Sequence, residues 1–369
     1  MRPIDLTFAP QTDPAALYRL RDGLYASDLL TVALVHLDLF SWLAAQGAHG
    51  ATEAAMAAQF QIVPRLADVM ITLFRAQGLL QRAANGALHL TPLAAEHLAT
   101  DSPWCLHPYY APLRQRPGVL DLLEVMRTGK PVLWSSQGTT AQDNWHTAME
   151  DEGFAERFTA VMDCRGTLLG PAAARAVDVT GICRLLDIAG GSGIYACAFA
   201  AHHPDLTTTV LEKPPVDAMA ARLIAQRGFA DRVGVVAADM MTEPLPAGYG
   251  AHLWSNVLHD WDVPEVLRLI AASFQALPPG GLFIMHDAFL NDAKDGPLPV
   301  AEYSVTLAHA TQGRCYGTGE MSDWLTAAGF SEAAYQDTAA ARGVLTARKP
   351  MNQPGPQPIQ TPGKPAAAV

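Results

Sequence analysis

Hydrophobic and polar positions change rhythm along this chain, and the changes mark out its organisation. From Leu24 to Leu43 apolar side chains fall on nearly every helical face: Leu29, Leu30, Val32, Leu34, Val35, Leu37, Leu39, Phe40, Trp42 and Leu43. A surface helix needs only about a third of its circumference apolar. A helix like this must therefore be covered from two sides, by its own core alone or by its own core and a second subunit. A shorter pattern follows. One helix is predicted over Ala51–Gln59 and another over Pro64–Gln77, opened by proline and closed before Gly78. Leu79-Leu80-Gln81 and Leu88-His89-Leu90 then flank an Asn85-Gly86 turn and predict a hairpin. This is the outline of a winged helix. A DNA-reading helix needs basic and amide side chains, whereas PRLADVMITLFRAQ offers two arginines, an aspartate and mostly apolar residues. A structural or dimerising role is expected instead.

Trp104 to Val179 is helical in pattern and aromatic-rich, with breaks at Pro117-Gly118 and Gly129-Lys130-Pro131, and reads as a connector. From Arg184 short apolar runs alternate with helical stretches, the signature of a parallel α/β sheet. Strands are predicted at Arg184–Ile188, Thr208–Leu211, Val233–Val236, Ala251–Ser255 and Leu282–His286. Helices fall near Tyr195–His202, Val216–Arg227 and Pro264–Leu277, with a last helix at Glu320–Ala328 and a last strand at Gly343–Ala347. The division is a helical winged-helix domain (1–105), a connector contributing to a pocket (106–180), a cofactor domain (181–349) and a disordered tail rich in Pro, Gly and Gln (350–369).

Composition narrows the function. The chain has 369 residues and is half hydrophobic, ample for a sizeable core. Its 25 basic against 36 acidic residues give a net charge of −11, the wrong sign for covering phosphates. Five cysteines without C-x-x-C spacing indicate neither a disulfide framework nor a zinc site, and point to a reducing cytoplasm. The N-terminal stretch lacks a signal peptide's continuous apolar run, and Asp28, His36 and Asp38 interrupt the most apolar segment. No membrane and no nucleic-acid partner is expected.

Two segments carry chemistry. In LLDIAGGSGIYACAFA an apolar strand meets Gly190, Gly191, Ser192 and Gly193 and then a helix. Glycines let the backbone turn sharply and a ligand approach the main chain, and a helix N-terminus offers free N–H groups. Glu212 closes the next strand, where a carboxylate can accept both hydroxyls of an adenosine ribose. Nicotinamide enzymes and methyltransferases both use this arrangement. After the third strand comes Asp239-Met240, an acid for an adenine amino group and an apolar cover for its ring. After the fourth comes Ser255-Asn256-Val257-Leu258-His259-Asp260-Trp261-Asp262. His259 and Asp260 thus lie beyond the carboxyl end of a central strand, where open α/β sheets place their chemistry. A neutral imidazole there can accept a hydroxyl proton.

AGGSG, Glu212, Asp239-Met240, NVLHDWD and the later LPPGG with LFIMHD resemble the S-adenosylmethionine-dependent small-molecule O-methyltransferases, plant caffeic-acid-type and bacterial natural-product enzymes, over about residues 15–348. The resemblance implies a Rossmann-like methyltransferase domain with a mostly parallel seven-stranded sheet, behind a helical winged-helix dimerisation domain. It implies S-adenosyl-L-methionine as cofactor, a homodimer, and a small aromatic or polycyclic acceptor methylated on a hydroxyl. By resemblance Gly190, Gly191 and Gly193 pass near the methionine part of the donor and Asp187 supports their loop. Glu212 holds the ribose, Asp239 and Met240 the adenine, and Ser255 and Trp261 complete the cofactor contacts. His259 is the general base, with Asp260 beside it. One departure stands out. Where plant-type members carry a glutamate that orients the histidine, this chain has Cys315, and a thiol is a poor acceptor. Glu302 or Glu320 is expected to replace it, unless His259 is held differently.

The acceptor pocket is expected to draw Trp145, Met149, Phe154 and Met162 from the connector, and Tyr303, Thr306 and Leu307 from the segment after the fifth strand. No catalytic metal is required. The Cys315 departure keeps open an enzyme of this fold acting on nitrogen, carbon or sulfur, or running another reaction. An NAD(P)-dependent oxidoreductase would need a Tyr-x-x-x-Lys pair after the fourth strand, which is absent. A ligand-sensing winged-helix regulator would need a basic face on Pro64–Gln77.

Overall fold

The computed structural model describes residues 5–131 and 149–351. Trp145, most of the tail and part of the connector lie outside them. A small antiparallel hairpin is formed by β1 (Leu80–Arg82) and β2 (Leu88–Leu90), with Leu80 opposite Leu90. The main sheet contains β3 (Arg184–Ile188), β4 (Thr207–Glu212), β5 (Val233–Ala237), β6 (Ala251–Ser255) and β7 (Leu282–Asp287). The short β8 (Phe289–Leu290) and β9 (Tyr316–Gly317) pair separately, and β10 (Ala334–Asp337) and β11 (Gly343–Arg348) complete the chain. The order in the seven-stranded sheet is β10-β11-β7-β6-β3-β4-β5. The five strands from β7 to β5 are parallel, and β11 and β10 run antiparallel at one edge. The connections diverge on either side of β3 and β6, so a crevice opens beyond their carboxyl ends.

The strands form where both faces are covered. In β7 every residue of LFIMHD is buried, and β3 is buried from Leu185 to Ile188. Strand β10 was not visible as an apolar run because AYQD is exposed throughout and is paired only with β11.

The apolar stretch Leu24–Leu43 is not one helix. A helix over Ala26–Thr31 passes into a π turn at Val32–His36, and a new helix, Leu39–Ala45, starts after Asp38 at φ +48°. The Asp38 carboxylate accepts the Ser41 hydroxyl at 2.6 Å, holding the restart. The bend turns opposite faces inward, so Leu29, Val32, Leu34, Leu39 and Phe40 all reach the chain's own core. Among the described residues no single helix is long and apolar enough to cross a membrane.

The winged-helix outline is present as Glu53–Phe60, Pro64–Ala76 and the β1–β2 hairpin. Its second helix is not free to enter a groove. It packs against the helix Leu298–Ala310, burying Leu66, Val69, Met70, Leu73 and Phe74. Arg65 donates to the Gly129 and Gly313 carbonyls at 2.8 and 2.9 Å, and Arg75 to those of Ala293 and Lys294. The N-terminal core therefore continues into Leu298–Ala310, a segment that follows the fifth parallel strand. A long helix, Glu152–Ala176, lies along Ile194–His202. Gly166 permits this approach, since a Cβ there would come within 2.2 Å of Ile194.

Candidate active site

Strand β3 ends in a loop whose backbone is set by glycines. Gly191 and Gly193 have φ of +58° and +72°. A Cβ on Gly190 would lie 2.5 Å from the Asp187 carboxylate, and one on Gly193 2.8 Å from Ile224. A Cβ on Gly191 would meet open space, so this residue presents bare main chain to the crevice. Asp187 ties the loop from behind: Oδ2 accepts the Ala196 N–H at 3.2 Å and Oδ1 the Ser255 hydroxyl at 3.4 Å. Burial pushes its carboxyl up to about 7. Glu212, at the end of β4, accepts the Gly191 N–H at 2.9 Å and the Lys213 N–H at 3.1 Å. Burial still holds its carboxyl up at about 7, because these N–H groups offset only part of the lost hydration.

Beyond β6, Asn256 adopts φ +54° and the chain turns through Leu258–Asp260. The turn drives His259 inward, leaving it 3% exposed. Its Nδ1 lies 2.5 Å from Oδ1 of Asp287, which also accepts the Ala288 N–H at 2.7 Å. A carboxylate accepts only, so in the neutral imidazole Nδ1 carries the ring proton and Nε2 the lone pair. The Asp260 carboxylate lies 3.6 Å from Nε2, and burial raises it to about 6. The Tyr303 ring meets the imidazole edge-to-face at 5.7 Å.

The acid beside His259 is thus neither Glu302 nor Glu320. Glu302 is paired with Arg19 at 2.8 Å, and Glu320 with Arg314 at 2.8 Å and Lys294 at 3.0 Å. Cys315 is buried in the N-terminal core, its N–H donating to the Ser304 hydroxyl at 3.1 Å. Asp287 was not anticipated, and its only signal in the sequence was its place as the acid that closes LFIMHD. Ser255 of β6 pairs with His286, so the next residue of β7 stands beside the His259 turn.

A cavity of about 520 Å³ joins the two segments. Gly190, Gly191, Glu212, Met240, Ser255 and Trp261 line it, with His259 and Asp260 between them and Met149, Phe154, Met162, Tyr303, Thr306 and Leu307. Asp187 and Gly193 are not in its wall but support the loop. Asp239 is also outside the wall, with Oδ1 accepting the Met241 N–H at 2.8 Å. Arg165, Tyr195 and Asn256 line the cavity and were not anticipated. Among the described residues no group of three or more His, Cys, Asp or Glu side chains could hold a metal.

A family model described as an O-methyltransferase domain matches residues 120–331. The chain is also 33% identical, over 86% of its length and 90% of the relative's, to the 3-hydroxy-5-methyl-1-naphthoate 3-O-methyltransferase of Streptomyces sahachiroi. It belongs to the O-methyltransferase family. An O-methyltransferase family 2 protein from Planctomyces limnophilus, solved in complex with apigenin, has the same fold. Its TM-score is 0.82 and its identity 30%, over 95% of this chain and all of that one (100%). The L-tyrosine C(3)-methyltransferase of Streptomyces lavendulae is 28% identical over 82% of this chain and 83% of its own.

This O-methyltransferase is S-adenosylmethionine-dependent. Its glycine loop suits that donor. Gly191 leaves the main chain uncovered, Glu212 turns a carboxyl toward the cavity, and among the described residues the buried Ser192 hydroxyl has no partner.

Proposed function

We propose that the enzyme methylates a hydroxyl of a compact, planar aromatic acceptor, with His259 as general base oriented by Asp287. The observation that carries this reading is the 2.5 Å contact of His259 with Asp287, made in the wall of the same cavity as the glycine loop. S-adenosylmethionine supplies a methyl group already made electrophilic by its sulfonium sulfur and leaves as S-adenosylhomocysteine. The chain's own tasks are alignment and proton removal. Glu212 holds the ribose hydroxyls, Met240, with Asp239 and Trp261, encloses the adenine end, and Gly190 and Gly191 admit the methionine end. Asp187, Gly193 and Ser255 keep that loop in shape. Met149, Met162, Thr306 and Leu307 press on the acceptor's flat faces, and Tyr303 stands next to the base. His259 Nε2 takes the hydroxyl proton as the oxygen forms its bond to carbon. Alignment of this kind contributes up to about 7–11 kcal/mol in model systems, and a general base about 10²–10⁴-fold.

The naphthoate named for the Streptomyces sahachiroi relative and the apigenin bound to the Planctomyces protein support a planar hydroxylated acceptor. The enzyme acts in the cytoplasm and as a homodimer, and the exposed Leu17, Leu20 and Leu24 near the N-terminus support the dimer. The test is incubation with labelled S-adenosylmethionine and a panel of phenols, naphthols and flavonoids, followed by NMR of the product. A new O-methyl group is expected. Methylation of a ring carbon, or no transfer to any hydroxylated arene, would overturn the reading.

A further inference from the structure

We propose that Arg165 selects acceptors bearing a carboxylate, binding that group beside the Tyr303 hydroxyl. The inference rests on the cavity being the acceptor site. Arg165 projects from the helix Glu152–Ala176 into the cavity wall. One of its five N–H donors, on Nη1, meets the Tyr303 hydroxyl at 2.8 Å, and among the described residues no carboxylate pairs with it.

Arg342, Arg314 and Arg65 are treated differently. Arg342 donates to Asp22 at 2.8 Å and to the Ala340 carbonyl at 3.0 Å. Arg314 is held by Glu320 at 2.8 Å and Asp68 at 3.1 Å. Arg65 donates to the Gly129 and Gly313 main-chain carbonyls. The nearby acids are already engaged. Asp22 is shared between Arg342 and Arg21, Asp287 holds His259, and Asp260 faces the same imidazole. A half-buried guanidinium in a cavity wall, with no carboxylate partner among the described residues, offers its free N–H donors to an anionic ligand.

Geometry narrows the anion. Arg342 lies over the Tyr303 ring at 4.4 Å, while Arg165 takes the hydroxyl end and His259 meets the ring. The base and the guanidinium thus border the same tyrosine in the wall of one cavity. A planar fork matches a planar carboxylate edge to edge. The surrounding wall of Met149, Phe158, Met162 and Leu307 fits the arene that joins the two groups.

The experiment compares 3-hydroxy-1-naphthoate with its neutral carboxamide, by turnover and by calorimetric binding in the presence of S-adenosylhomocysteine. The wild-type enzyme is expected to favour the carboxylate by roughly 10- to 100-fold in kcat/KM, the range of a charge-assisted hydrogen bond. Arg165→Gln is expected to collapse that ratio towards one through KM, and Arg165→Lys, checked for an unchanged melting temperature, to keep part of it. Arg165-dependent binding of the carboxylate without turnover would support this inference while defeating the reaction proposed above. Equal preference in the wild type, or an Arg165→Gln variant that weakens both acceptors alike, overturns it.

Discussion

Asp287 Oδ1 stands 2.5 Å from His259 Nδ1, although the two residues come from different strand ends, beyond β6 and at the close of β7. The contact fixes the imidazole's tautomer and its angle in one step. Exchanging the carboxylate for an amide removes the charge but keeps the shape, so orientation weakens while packing persists. Asp287→Asn is expected to lower kcat by roughly 10- to 100-fold, the usual effect of losing a partner that orients a functional histidine. His259→Ala is expected to lose roughly 10²–10⁴-fold. Single-turnover transfer from labelled donor measures both, and an Asp287→Asn enzyme at full speed would remove the orienting role.

The proposed contact of Glu212 with the donor's ribose would make donor binding depend on pH. Its carboxyl is pushed up to about 7, so at pH 6 most of the unliganded enzyme carries a proton there. Ribose hydroxyls donate to the ionised form, and binding must expel that proton. Affinity for S-adenosylhomocysteine is therefore expected to rise roughly 10-fold from pH 6 to pH 8 and then to level off. The unliganded fold should respond in the opposite sense. Asp187 and Glu212 are raised from 3.8 and 4.5 to about 7 in the folded state, so their contribution is fully present below about 4 and is lost as pH climbs through 7. Calorimetry across this range, repeated with Glu212→Gln, tests the assignment. A wild-type binding profile that stays flat would contradict it.

The glycine loop gives a prediction that separates fold from binding. At Gly193 the φ of +72° disfavours any side chain, and a Cβ would also press on Ile224 at 2.8 Å. Gly193→Ala is expected to cost about 1–3 kcal/mol of stability as well as donor affinity. At Gly191 the added Cβ meets open space, although φ is +58°. Gly191→Ala should lower the melting temperature less than Gly193→Ala while still weakening the donor, because its methyl group points where the ligand approaches. Melting curves with and without S-adenosylhomocysteine distinguish the two, and equal losses of stability would refute the distinction.

The parts legible in the sequence were those set by local backbone chemistry. The β3 glycine loop, Glu212 at a strand end and the turn bearing His259 each sit within a short run whose spacing carries its own meaning. Asp287 depended on which strand neighbours β6, and strand order is a long-range property. Arg165 depended on a helix more than a hundred residues before Tyr303 coming to lie against it. The apolar stretch from Leu24 to Leu43 was misleading for a related reason. Composition gave its burial correctly, but the left-handed Asp38 and the π turn reorient its faces, so one core covers most of what a straight helix would have left exposed.

That reorientation moves the expected subunit contact toward the N-terminus. Leu17, Leu20 and Leu24 are 68%, 75% and 58% exposed and recur at helical spacing, while most of the following apolar run is covered internally. Aligned apolar side chains of this size are the kind of surface that partner subunits cover. Leu24 also lines the cavity, so a subunit seated there would border the acceptor site. Light scattering at micromolar concentration is expected to give a dimer, and Leu17→Lys with Leu20→Lys to shift it to monomer. The same double variant should raise KM for the acceptor more than it weakens S-adenosylhomocysteine binding, because the proposed donor loop follows β3 and is not built from the helix Ala15–Asp22 that carries Leu17 and Leu20. A wild-type monomer at these concentrations, or a monomeric variant with an unchanged acceptor KM, would place the exposed leucines outside the working enzyme.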